Sequence, residues 1–150
     1  MIGAFTLVEH FTSRRASLAR NPPACGESLP AHGVYRLYTT SPLLAHLTIR
    51  AEDGENYFVR LVDASSRTTE IEFFLHGGTA LVSSVPVGRF RVKYADGLVW
   101  CGEQQLFGPD TLVEEADRTF DFGAGDHWTI ELIRQRGGNL RTKYIPRNQF

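Results

Sequence analysis

The sequence predicts an all-β domain: an antiparallel β-sandwich of about eight to nine strands, preceded by a short N-terminal helical or irregular arm. Three observations predict it. From Val34 onward, runs rich in β-branched and aromatic residues recur at a spacing of about 8–12 residues, each closed by Gly, Asp, Asn or Pro. Inside these runs apolar and polar residues alternate, which is the two-residue period of a half-buried strand. Ten Phe, five Tyr and two Trp among 150 residues suit a core packed between pleated surfaces.

The elements follow in order. Over the first twenty or so residues, Leu7, Val8, Phe11 and Leu18 fall near one side of a helix at roughly 100° per residue, with Arg14 and Arg15 flanking the stripe. Asn21-Pro22-Pro23 stops that helix, and residues 21–33 read as a connector. Residues 1–32 are therefore an arm and connector, and residues 33–150 the sandwich. VYRLYTT (34–40), AHLTIRAE (45–52), YFVRLVD (57–63), EIEFFLH (70–76), TALVSSVPV (79–87) and RFRVKYA (89–95) are the first strands. Asp96-Gly97 predicts a hairpin into LVWCGE (98–103). One or two strands follow in LVEEADRTFDF (112–122), and Arg136-Gly137-Gly138 predicts a hairpin between HWTIELIRQ (127–135) and NLRTKYIP (139–146). No stretch offers the helices that a parallel α/β sheet needs for its crossovers.

Sixteen Lys plus Arg against seventeen Asp plus Glu give a net charge of −1, which implies no global attraction to nucleic acid or anionic membrane and leaves a local patch open. No apolar run approaches the roughly 20 residues of a membrane-spanning helix. The chain is expected to be soluble and uncleaved, with the cytoplasm favoured. Cys25 and Cys101 are too few for a disulfide framework or an all-cysteine zinc site; a single bridge between them stays open, and two free, buried thiols are expected.

Pro86, Gly88, Phe90, Val92, Tyr94 and Gly97 form a Gly–aromatic–x–Val–x–Tyr strand between turn residues. This pattern resembles a signature of small bacterial β-sandwich modules, the PEGA and carboxypeptidase-regulatory-like domains. It covers about a tenth of the chain. The longer pattern of NYFVRLVDA, LFGPDT and GGNLRTKYIP also resembles a bacterial family that brings no activity with it. The resemblance implies a sandwich that sits beside, or at the end of, other functional parts.

Candidate chemistry is sparse. Arg89, Arg91 and Lys93 share one face of a strand, a cationic row that either binds an anionic partner or pairs with acidic neighbours such as Glu70, Glu72 and Glu131. Arg60, Arg141 and Lys143 are further cations on half-wet strands. Trp100 and Phe107, in an aromatic loop with two glycines and a Pro-Asp turn, are either partner anchors or a buried corner between sheets. Phe5, Leu7, Val8 and Phe11 give the arm an apolar stripe that a lone helix cannot bury, which predicts docking on its own sandwich, on a second copy or on another protein. The five histidines form no metal-binding spacing, and no nucleotide-binding loop or nucleophile elbow is present, so no metal and no cofactor is expected.

The expected function is non-enzymatic: a binding, docking or assembly module acting through protein–protein contacts, including self-association. One alternative is a hydrolase built from Asp110, Asp126 and His127. The other is a carbohydrate- or nucleic-acid-binding sandwich, which requires Trp100 or Trp128 as an exposed aromatic platform. Nucleic acid and membrane-spanning contacts are not expected partners.

Overall fold

The computed structural model describes residues 2–8, 25–109, 111, 113–133 and 140–150. The strands are β1 (Ile2–Val8), β2 (Gly33–Leu37), β3 (Ala45–Ala51), β4 (Asn56–Asp63), β5 (Thr69–Leu75) and β6 (Ala80–Val85). They continue with β7 (Gly88–Gly97), β8 (Val113–Ala116), β9 (Phe120–Phe122), β10 (His127–Ile133) and β11 (Leu140–Ile145). A single 3₁₀ turn, Arg147–Gln149, is the helical element among the described residues, and no described helix is long and apolar enough to cross a membrane.

The strands form a front sheet, β1-β10-β3-β6, and a back sheet, β2-β5-β4-β7-β8-β11, joined where β11 meets β1. β9 adds to β7 at its N-terminal end. The back sheet is antiparallel throughout, whereas β10 runs parallel to both β1 and β3. The two-residue alternation decides which side chains enter. Leu47, Ile49, Ile130 and Leu132 of the front sheet meet Val59, Leu61, Phe73, Val92 and Tyr94 of the back sheet in the main core. The two ends of the strand path are β2 and β6, and His32 links them, its Nε2 lying 3.0 Å from the Ala80 carbonyl.

Four expectations are corrected. Residues 2–8 are a strand, not part of a helix: β1 is in register with β10 from Ile2↔His127 to Val8↔Ile133, and strand pairing outcompetes the 3.6-residue pattern. Phe5, Leu7 and Val8 therefore belong to a strand between two others, and their docking role loses the unburied helix it assumed; Phe11 lies outside the described residues. Asp96-Gly97 does not turn a hairpin. β7 continues through Gly97, Asp96 is buried, and residues 98–103 form no strand. Finally, β10 and β11 do not pair around Arg136-Gly137-Gly138, because β1 lies between them; those three residues are outside the described ones.

Cys25 and Cys101 correct the expectation of free thiols. They form a disulfide with Cα atoms 5.5 Å apart, closing a sequence separation of 76 residues.

Candidate functional site

The outer face of the back sheet is divided into two neighbouring surfaces. Phe58, Phe74, Ala95, Val113 and Ile145 make an apolar patch under Trp100, Leu106 and Phe107, a second core outside the sandwich. Two residues further along the same strands the same face becomes charged. Arg60 follows Phe58 on β4, Lys93 precedes Ala95 on β7, Glu115 follows Val113 on β8, and Lys143 precedes Ile145 on β11.

The loop that covers the apolar half is fixed by several local devices. The chain leaves the sheet at Gly97, where a Cβ would lie 2.4 Å from the Phe107 Cβ, so only glycine lets the ring settle there. The disulfide ties Cys101 to the connector, and the Glu27 N–H donates to the Trp100 carbonyl at 2.8 Å. The Thr111 hydroxyl accepts from the Phe107 N–H at 3.0 Å and donates to the Gly108 carbonyl at 2.7 Å. Arg147 Nη2 reaches the same carbonyl at 2.6 Å. Trp100 makes edge-to-face contacts with Phe58, Phe74 and Phe107 at centroid distances of 5.3, 5.1 and 5.3 Å.

Beyond this cover the sheet stays open as a groove of about 390 Å³, lined by Val62, Arg67, Arg91, Lys93, Glu115, Lys143 and Gln149. Glu115 is buried and shared: Arg91 Nη1 is 3.0 Å from one carboxylate oxygen and Lys143 Nζ is 3.9 Å from the other. Lys93 donates to the Gln149 carbonyl. Burial pushes the Lys93 ammonium below its ordinary pKa; Glu115 opposes this, and Arg60, Arg67 and Arg91 push it further down. At the border between the two surfaces, Arg60 Nε meets the buried Glu72 at 2.8 Å, and its guanidinium lies 4.2 Å from the Phe150 ring centroid. Four lining cations face one carboxylate, so the groove is positive although the chain is nearly neutral.

Arg89, Arg91 and Lys93 thus lie on the wet side of β7, opposite the buried Phe90, Val92 and Tyr94. Arg89 pairs with Asp121 at 2.8 Å and Arg91 with Glu115, so the acidic neighbours are those on β9 and β8. Among the acids singled out from sequence, Glu72 pairs instead with Arg60, and Glu131 with Arg50 at 3.9 Å. Sequence reading missed Arg67 and Glu115. Arg67 reads only as a turn residue; Asp63 Oδ1 accepts the Ser65 and Ser66 N–H groups at 2.9 and 2.8 Å, and that turn delivers Arg67 to the groove.

Trp100 at 3% exposure and Phe107 at 0% are corrected as surface anchors: both are core residues of the covered patch. Trp128 is likewise buried at 9%, so neither tryptophan offers the exposed platform expected for sugar or base stacking. Of the hydrolase residues, the two described ones, Asp126 and His127, bond to separate partners. Asp110 lies outside the described residues, while Asp126 accepts the Gly123 N–H at 2.8 Å, a bond that holds its carboxyl below the usual range. His127 Nε2 is 2.9 Å from the Thr48 hydroxyl. Among the described residues, no three His, Cys, Asp or Glu side chains gather as a metal site.

No family model, no curated protein and no solved structure matches this chain.

Proposed function

We propose that this chain is a non-enzymatic β-sandwich module that docks an acidic segment of a partner protein in the cationic groove of its back sheet. One observation carries the reading. Four cations line the groove against one carboxylate, and that carboxylate is itself buried while Arg67 and Lys143 stand exposed at the rim. A binding face of this kind steers an oppositely charged partner and fixes its register more than it supplies raw affinity. The floor of the groove is the hydrogen-bonded strands β4, β7, β8 and β11, and a floor set by strand pairing lowers the ordering cost of binding. The disulfide supports an oxidising working environment over the cytoplasm.

The test is a comparison of two baits in extract of the source organism: the native chain and the doubly reversed Arg67→Glu, Lys143→Glu chain. Both positions are exposed, so the variant should fold. A partner retained by the native chain should disappear with the variant and cross-link to Lys93 or Lys143 in the native complex. An identical retained set with both baits would refute groove docking.

A further inference from the structure

We infer that the docked segment is charge-patterned, a short acidic block followed by an uncharged or basic stretch, and not a uniform polyanion. This rests on the docking reading above and specifies its ligand.

The cationic groove does not end at Arg91. That residue also lines a second hollow of about 520 Å³ over the β8–β9 connection, with Asp117, Arg118, Thr119 and Asp121. Across Arg91 the charge balance changes. The first hollow has four cations to one carboxylate, whereas the second has two cations to two carboxylates. Asp117 and Asp121 are both exposed, and Arg89 partly offsets Asp121 from 2.8 Å away. Arg91 lines both hollows, so they adjoin, and about six extended residues rise roughly 20 Å. An extended segment through both would therefore meet excess positive potential over one half and exposed carboxylates over the other.

A run of acidic residues continuing past Arg91 would leave the excess of positive charge for a charge-balanced hollow and bring its later charges beside the exposed Asp117, and like-charge juxtaposition across an interface is a strong discriminator. A nucleic-acid strand would fail for the same reason, since its phosphates recur without interruption. It would also find neither tryptophan to stack on, because Trp100 and Trp128 are buried. A polypeptide can change sign from one residue to the next. Lys or Arg in its second half would answer Asp117, and a serine or glycine spacer would cross Arg91.

The experiment is fluorescence anisotropy with labelled peptides. Glu-Glu-Glu-Ser-Gly-Lys and its reverse are compared with an uninterrupted glutamate run of the same length and with an oligothymidylate strand. At physiological salt one patterned peptide should bind about tenfold more tightly than the glutamate run, despite its smaller charge. The Asp117→Asn, Asp121→Asn chain should bind the glutamate run about tenfold better than the native chain does, with the patterned peptide little changed. If the glutamate run or the oligonucleotide binds native protein as tightly as the patterned peptides, or if the Asn variant gains nothing, patterning is overturned and groove docking stands. If no peptide binds and the Arg67→Glu, Lys143→Glu chain keeps the native partners, both readings fall.

Discussion

At the scale of single residues, Lys93 carries its charge in the groove against its surroundings. Its ammonium is partly desolvated among Arg60, Arg67 and Arg91, so its pKa is lower in the folded chain than in the unfolded one. Between those two values the unfolded chain binds more protons, and stability therefore rises with pH across that alkaline window. Below the window the charge is held at a cost. Lys93→Met should therefore leave the neutral-pH melting temperature unchanged or raised, flatten its alkaline rise, and weaken binding of an acidic peptide several-fold. Thermal melts over the alkaline range together with peptide titration check this; a variant that melts lower and binds normally would assign Lys93 a purely structural role. Sequence made the alternation of Arg89, Arg91 and Lys93 with Phe90, Val92 and Tyr94 readable, because side-chain direction in a strand is local. It could not reveal that Arg67 and Lys143, distant along the chain, complete the same groove.

At the scale of elements, the loop from Leu98 to Thr111 decides the character of the back sheet. Without it the aromatic half of the outer face would be exposed, with Phe58 and Phe74 on the surface. The Cys25–Cys101 bridge fastens this loop across 76 residues of sequence, and on the chain-entropy account a loop of that length contributes about 4.5 kcal/mol. Reduction, or Cys101→Ala with Cys25→Ala, should therefore lower the urea midpoint substantially and red-shift the emission of Trp100, whose ring packs beside the bridge on Phe58, Phe74 and Phe107. Oxidised and reduced chains with the same midpoint would mean that the loop holds by packing alone. The hairpin reading of Asp96-Gly97 failed here for a tertiary reason. That dipeptide is a good turn former, but the glycine is needed for the close approach of Phe107. Local turn chemistry and tertiary contact demand the same residue, and sequence cannot separate the two.

At the scale of the whole molecule, β1 is the strand that joins the two sheets. It pairs with β10 over seven registered positions, Ile2↔His127 to Val8↔Ile133, and with β11 at Leu7↔Leu140 and Val8↔Arg141. An arm that merely docked on partners would be dispensable for folding; a joining strand is not. Deleting residues 1–8 should abolish or strongly broaden the cooperative thermal transition, since β10 and β11 would each lose a neighbour and the front sheet would part from the back. A truncated chain with a sharp transition at the native temperature would restore the docking arm as the better description.

The sequence by itself determined the all-β class, most strand positions and which side chains point inward, because each follows from a two-residue period that only neighbouring residues set. Tertiary structure decided the rest. It paired the two cysteines, placed β1 between β10 and β11, covered half of the outer face with the Trp100 loop, and gathered Arg67, Arg91, Lys93 and Lys143 into one groove. Strand order and disulfide pairing depend on contacts between segments far apart in the chain, and no local pattern encodes which distant segment will arrive.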